Sequence, residues 1–330
     1  MKEPRFWSNP PDAPGLVARL LSPLGALYAR GTQKALAQDG FRADVPVICV
    51  GNINAGGTGK TPTVIALLQR LIARGYHPHV VSRGYGGSLD GPVQVDEQRH
   101  SAVQVGDEPL LIAAFAPVWV AKQRAEGVRS AQEAGADIIV LDDGMQNGTV
   151  KKDATLVVVD AGKGFGNGRV IPAGPLREPI ERGMARADVV ISIGSDAAQK
   201  QFGETWGDAL TVPRAQARLE PLQTGMEWEG LRVLAFAGIG HPEKFFGTLR
   251  SLGADLLRAE ALKDHQPLSL QLMKRLEIEA LALRAHMVTT EKDAVRLPRE
   301  FRQKVVTLPV RLECEDWGPI DAVLRQIGLE

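Results

Sequence analysis

Residues Asn54-Ala55-Gly56-Gly57-Thr58-Gly59-Lys60-Thr61 have the chemistry of a phosphate-binding loop. A glycine-rich turn can wrap backbone N–H groups around a phosphate, a lysine can reach the β- and γ-phosphate oxygens, and a hydroxyl can hold Mg²⁺. Asn54 stands where that pattern has its first glycine, and asparagine tolerates a left-handed backbone better than most residues. Such a loop also needs an acidic residue at the tip of a neighbouring buried strand, to meet the metal directly or through water. The run Ile138-Ile-Val-Leu-Asp142-Asp143 supplies two. Asp160, after Leu156-Val-Val-Val, ranks behind them because it stands alone. Together these residue types bind and cleave a nucleoside triphosphate. No [NT]KxD tetrapeptide, the base-reading loop of guanine-specific switches, occurs, so ATP is the expected nucleotide. Ala55 precedes the glycine pair, where ATPases that position cell components on membranes carry a lysine. A phosphotransferase or a ligase remains.

The elements that must hold this loop are legible around it. A β-rich run at 45–50 leads into the loop, and a helix is expected over 60–74. Val64, Leu67, Leu68, Leu71 and Ile72 share its face, Pro62 sits in its tolerant first turn, and Gly75 lies just past its end. From residue 45 onward short β-rich runs alternate with helical patterns, which predicts an α/β fold: a mostly parallel, P-loop-type sheet flanked by helices. Strands are expected at 45–50, 79–82, 117–121, 137–141, 155–160 and 188–193. A second, smaller α/β series follows, with strands at 232–237, 286–289 and 305–312 and helices near 242–252, 268–282 and 317–328. Apolar periodicity is weak over 203–230. The expected division is therefore an N-terminal segment 1–38, a kinase-type domain 39–212, a linker 213–230 and a C-terminal domain 231–330 closing over the active-site cleft. Segments 83–106 and 160–183 lack regular patterning, and loops of such length in a compact domain are usually lids or binding loops.

Composition narrows the class. The 330 residues carry 39 basic and 39 acidic side chains, so no global electrostatic footprint for nucleic acid exists. Cys49 and Cys314 are too far apart in sequence for a metal-ligand spacing and too few for a disulfide framework. No apolar run reaches the roughly 18 residues of a spanning helix, and the first residues lack the pattern of a secretory signal. Residues 1–38 have Lys2, Arg5, Arg19, Arg30 and Lys34 against Glu3 and Asp12, a net charge of +3. Within them Val17, Leu20, Leu21, Leu24, Leu27 and Tyr28 share one helical face, and Pro23 is expected to split the segment into two short amphipathic helices. With Phe6 and Trp7 alongside, this fits a helix lying on an anionic membrane surface.

Nine short motifs then occur in order: Phe6-Trp7, Gly51-Asn52 with GGTGKTP, Ser82-Arg-Gly-Tyr-Gly86, Gly106-Asp-Glu-Pro109, Asp142-Asp-Gly-Met-Gln146, Pro172-Ala-Gly-Pro-Leu-Arg-Glu178, Ala235-Phe-Ala-Gly-Ile-Gly240, Asp264-His265 and Thr290-Glu-Lys-Asp293. On these the chain resembles the tetraacyldisaccharide 4′-kinases, the lipid A 4′-kinases, over essentially its full length. The resemblance implies Mg²⁺-dependent transfer of the γ-phosphoryl group of ATP to the 4′-hydroxyl of a tetraacyldisaccharide 1-phosphate, forming lipid IVA. The setting it implies is peripheral, at the cytoplasmic face of a bacterial inner membrane. The N-terminal segment would contact the membrane, and no obligate protein partner is expected. It further implies two α/β domains joined by a two-stranded linker, and Asp107 with His265 as the proton-accepting pair.

Within that frame Glu178 is expected to serve Mg²⁺ either as a direct ligand beside Thr61, Asp142 and Asp143 or through another ligand or water, and Arg177 is an expected phosphate clamp. Arg83 and Arg124 are candidates for the substrate 1-phosphate or the γ-phosphate, because guanidinium groups bind phosphate oxygens bidentately. Gln146 would orient a carboxylate or a water near the metal. Family members usually read Asp-Asp-Gly-Phe-Gln-His where this chain has Met145 and Asn147. Methionine can fill an apolar slot, whereas asparagine cannot titrate, so position 147 receives no proton-transfer duty. Thr290 and Asp293 read as a helix cap. Two other functions would use the same loop: a nucleotide-gated membrane switch, and a kinase for a soluble sugar or nucleoside. A switch would hydrolyse ATP without an acceptor, and a soluble acceptor would remove the need for detergent.

Overall fold

Runs of valine and isoleucine become the inner strands of a sheet covered on both faces, the burial that continuous apolar strands require. The computed structural model describes residues 3–330, so Lys2, counted among the basic residues above, lies outside them. In chain order the elements are α1 (Leu16–Leu36), β1 (Val47–Gly51), α2 (Lys60–Ala73), β2 (Pro78–Ser82), β3 (Val93–Gln94), α3 (Ala102–Val105), α4 (Asp107–Ala113), β4 (Val118–Val120), α5 (Arg124–Glu133), β5 (Ile138–Asp142), β6 (Ala154–Asp160), α6 (Ile180–Met184), β7 (Val189–Ile193), α7 (Asp196–Trp206) and β8 (Arg214–Pro221). There follow β9 (Arg232–Ala237), α8 (Pro242–Ser251), β10 (Asp255–Ala261), α9 (Leu270–Leu283), β11 (His286–Thr290), α10 (Glu291–Ala294), β12 (Val305–Leu308), β13 (Val310–Cys314) and α11 (Gly318–Gln326).

The large sheet has nine strands in the order β13-β8-β7-β6-β1-β5-β2-β4-β3, and the small one four in the order β10-β9-β11-β12. All pairings in the small sheet are parallel. In the large sheet only β3 with β4 and β13 with β8 are antiparallel. Alternate residues of β1, Ile48 and Val50, face α2, where Val64, Leu67, Leu68 and Leu71 complete one core. Val47 and Cys49 face the other way, toward Val128 of α5 and Phe202 and Trp206 of α7. The α/β fold with a second, smaller α/β unit is thus present.

Three expectations are corrected. The N-terminal segment forms one helix, α1, with Pro23 inside it. Proline removes one internal hydrogen bond, but docking holds the helix across it. Gly25 lies so close to the Val170 carbonyl that a Cβ would stand 2.8 Å from its oxygen. Ser22 Oγ accepts from Arg169 at 2.8 Å, and Thr32 Oγ1 donates to the Arg177 carbonyl at 3.3 Å.

Second, 213–230 is not a free linker, because β8 pairs with β7 and with β13 inside the large sheet. Third, the single strand expected at 305–312 breaks at Pro309, which has no N–H for a ladder. Its first half joins the small sheet and its second half returns to the large one, so the small domain ends near 308. Helix α11 then packs Ile320, Val323 and Leu324 into the core under α2, and Asp321 accepts from Arg70 Nε and Arg74 Nη2 at 2.7 Å each. Strands β8 and β13 pair antiparallel at the edge of the large sheet, on either side of the small-sheet segment in the chain. Among the described residues no helix is long and apolar enough to cross a membrane.

Candidate active site

Strand β1 delivers the chain to the phosphate-binding loop and α2 leaves it, beginning at Lys60. Gly59, the residue before the helix, has φ 95°, and a Cβ there would stand 2.5 Å from Ile193 Cδ1, so this turn requires glycine. Asn52 braces the loop from within, its Nδ2 donating to Thr58 Oγ1 at 3.1 Å. Asn54 does not need the left-handed backbone expected of it. It bridges Leu176 in extended form and its Nδ2 donates to the Gly164 carbonyl at 3.0 Å, tying the loop to the glycine-rich segment behind it.

Pairing of β1 with β5 sets Val50 opposite Asp142, which brings both acids to the loop. Asp142 is buried. Its Oδ2 accepts from Ser82 Oγ at 3.0 Å and its Oδ1 has no partner. Burial, with Glu108 and Asp143 nearby, raises its pKa to about 7. Asp143 adopts φ 53°. Burial disfavours its charge too, yet Lys60 at 3.8 Å and Arg177 at 3.0 Å hold its pKa below the usual carboxylate value. Arg124, at the start of α5, is buried, donates to the Asp143 carbonyl at 2.7 Å and leaves its Nε without a partner. An unpartnered carboxylate oxygen beside an unpartnered guanidinium N–H is a fitting place for a cation and a phosphate. No three His, Cys, Asp or Glu among the described residues gather to hold a metal by themselves.

Glu178 is buried beside Gln146 and Arg186. Its Oε1 accepts from Gln146 Nε2 at 2.9 Å and its Oε2 pairs with Arg186, so both oxygens are engaged. Gln146 also donates to the Asn52 carbonyl at 2.8 Å, while its Oε1 accepts from Arg177 at 3.2 Å. Glu178 and Gln146 therefore brace the loop and the clamp. Met145 is buried in the apolar core. Asn147 accepts from the Thr149 backbone and hydroxyl, which makes it a turn former. Arg83 is exposed, and among the described residues it makes no ion pair. Asp160, the second-ranked acid, serves elsewhere: Lys244 of α8 donates to it at 2.6 Å, joining the two domains.

Asp107 and His265, 158 residues apart in sequence, meet across the cleft. His265 Nδ1 lies 3.0 Å from Asp107 Oδ2. Asp107 opens α4 and is buried. His265 sits in a turn at φ 56°, its N–H donating to the Gly238 carbonyl at 3.1 Å. Burial opposes the charge on Asp107, but the hydrogen bond from His265, with Lys292 and Arg296 near, lowers its pKa. That hydrogen bond in turn raises the pKa of His265. The Tyr85 ring stands edge-on to the imidazole, centroids 5.8 Å apart.

Residue patterning missed Ser82, Glu108, Arg186, Lys244, Lys292 and Arg296. Ser82, Glu108 and Lys292 stand inside the quoted motifs, which gave them no role of their own, while Arg186, Lys244 and Arg296 lie outside them, so tertiary contact is what marks all six. Thr290 caps α10 by accepting from the Asp293 backbone, as the cap reading expected.

The model of the family described as tetraacyldisaccharide-1-P 4′-kinase matches residues 17–328. A tetraacyldisaccharide 4′-kinase of Dinoroseobacter shibae is 61% identical over 326 residues, 98% of this chain and 97% of that protein. One from a Jannaschia species is 58% identical over 328 residues, 99% of each. The crystal structure titled as the "apo" form of LpxK from Aquifex aeolicus in complex with ATP shares the fold. Its TM-score is 0.75 at 23% identity, over 94% of this chain and 99% of that one. Family model and relatives alike run through the loop, the paired acids and the cleft just described, and the chain belongs to the tetraacyldisaccharide 4′-kinase family.

Proposed function

We propose that this chain transfers the γ-phosphoryl group of Mg·ATP to the 4′-hydroxyl of a tetraacyldisaccharide 1-phosphate, giving lipid IVA and ADP, with Asp107 and His265 accepting the hydroxyl proton. The observation that carries the reading is the 3.0 Å contact between Asp107 and His265, next to Glu108, which lies within electrostatic reach of Asp142 as Lys60 of the phosphate-binding loop does. Backbone N–H groups of residues 56–60 and the α2 N-terminus would surround the β-phosphate. Lys60 would reach the β/γ oxygens, and Arg124 and Arg177 would face the transferring group. Thr61 and Asp142 would hold Mg²⁺, with Asp143 beside them, and the ion would supply neutralisation of phosphate charge when bound. In the step itself the 4′-oxygen bonds to the γ-phosphorus, the bond to the bridging oxygen of ADP breaks, and the hydroxyl proton passes to the pair. Phosphoryl transfer of this loose kind depends more on in-line positioning than on strong base catalysis. A charged carboxylate and an imidazole of raised proton affinity suffice.

The test is transfer of label from γ-labelled ATP to tetraacyldisaccharide 1-phosphate in detergent micelles. Labelled lipid, with ATP consumption dependent on the acceptor, supports the reading. Acceptor-independent hydrolysis without labelled lipid points to a nucleotide-gated switch instead.

Membrane contact belongs to the same proposal. Ala18, Gly25 and Ala29 turn inward on α1, leaving Leu16, Leu20 and Leu27 each more than 60% exposed, with Val17, Leu24 and Tyr28 beside them. Exposed Arg19, Arg30 and Lys34 add positive charge. An apolar stripe flanked by cations suits the surface of an anionic bilayer at the cytoplasmic face of the inner membrane. Replacing Leu20 and Leu24 together by glutamate is expected to reduce sedimentation with anionic vesicles about 10-fold or more, since each buried leucine contributes about 1.5–3 kcal/mol. Unchanged sedimentation of a folded double variant would refute the contact.

A further inference from the structure

Two adjacent carboxylates open α4, and only one of them belongs to the proton-accepting pair. Glu108 Oε1 accepts from Lys292 Nζ of α10 at 2.9 Å, a contact between domains separate from the Asp107–His265 hydrogen bond. Both side chains are largely sheltered, at 29% and 23% exposure. Lys292 stands on a stiff unit. Thr290 caps its helix, and fully buried Asp293 accepts the Gly238 N–H at 3.1 Å and pairs with Arg296. Gly238 in turn receives the His265 N–H, and Arg296 donates to the carbonyls of Gly238 and Gln266. One rigid piece of the small domain thus carries the seat of His265, Arg296 and Lys292, and it meets α4 at Asp107, through His265 and Arg296, and at Glu108, through Lys292.

Lys244 ties the domains at Asp160, away from α4, and at α4 itself Asp107 is met by the His265 hydrogen bond and, more distantly, by Arg296 at 3.7 Å. A further, charge-assisted attachment one residue away, at Glu108, fixes the angle of the small domain on α4. Lys292 also balances Glu108, which lies within electrostatic reach of buried Asp142. We propose that Lys292 is a positioning residue for phosphoryl transfer: by pairing with Glu108 across the cleft it sets the geometry in which Asp107 and His265 face the acceptor hydroxyl. The inference rests on reading Asp107 and His265 as the proton-accepting pair.

The experiment compares transfer to tetraacyldisaccharide 1-phosphate by the full-length wild type, Lys292→Met, Lys292→Arg, Glu108→Gln and the double variant Lys292→Met/Glu108→Gln. Displacements of about 1 Å can cost about 100-fold in rate. Lys292→Met is therefore expected to lower kcat roughly 10- to 100-fold, with KM for ATP within about twofold. Lys292→Arg, which keeps the cation, recovers most of the loss. Glu108→Gln matches Lys292→Met, and the double variant is no worse than the poorer single, as for two halves of one contact. Wild-type kcat in Lys292→Met, failure of arginine to rescue, or losses that multiply in the double variant would overturn the proposal. Should Lys292→Met not fold, a Glu108→Gln enzyme with wild-type kcat overturns it equally. Asp107→Asn is measured alongside. Full activity there refutes the pair, whereas an inactive Asp107→Asn beside an unaffected Lys292→Met refutes only the role of Lys292.

Discussion

Lys60→Ala is expected to abolish lipid phosphorylation, with kcat falling at least about 1,000-fold, the scale of losing a preorganised positive group from a transferring phosphoryl. Lys60 is the first residue of α2 and its ammonium lies 3.8 Å from Asp143 Oδ1. Without nucleotide it partly balances the acids on the neighbouring strand tip, and with ATP it can turn to the β/γ oxygens. Removing it therefore acts twice. The phosphates lose their lysine, and Asp142 and Asp143, both stabilised in charged form by Lys60, become harder to keep ionised. Asp142 already sits near pH 7, so its proton affinity should rise further and Mg²⁺ would have to compete with that proton. Single-turnover transfer, with nucleotide binding measured in parallel, checks this. Activity within about tenfold of wild type would remove the loop from the mechanism.

How much of this could be read from residues alone depends on sequence distance. The β1–loop–α2 unit was legible because its whole physical logic lies within some thirty consecutive residues: buried strand, glycine turn, capped amphipathic helix. Asp142 and Asp143 were legible as the acidic end of a buried apolar strand, although only the pairing of β5 with β1 brings them to the loop. Asp107 and His265 were not legible from spacing, because each taken alone fits a loop or a helix start, and only motif resemblance joined them. Pro23 and Pro309 show the opposite errors. The first was expected to break a helix, yet the small residues Ala18, Gly25 and Ala29 dock α1 so closely on the loop around Val170 that the missing hydrogen bond is tolerated. The second was passed over, and it divides one apolar run between two sheets. Arg186, eight residues beyond Glu178, pairs with its carboxylate, a contact that no local pattern announces.

Asp107→Ala is expected to lower kcat by about 100- to 10,000-fold, the range of general acid–base contributions, while KM for ATP changes little, because Asp107 touches His265 and Arg296 and not the phosphate-binding loop. A change confined to KM would make Asp107 a binding residue. The electrostatics add a second readout. Asp107 raises the pKa of His265, so in the variant that pKa should fall, which proton NMR of the imidazole measures directly. The pH profile follows with its sign fixed. The pair can accept a proton only when His265 is neutral, so wild-type kcat at saturating Mg·ATP should decline as pH drops through a value above the ordinary imidazole pKa of about 6.5. If the decline instead sets in only at carboxylate pKa values, Asp107 takes the proton alone and His265 merely orients it.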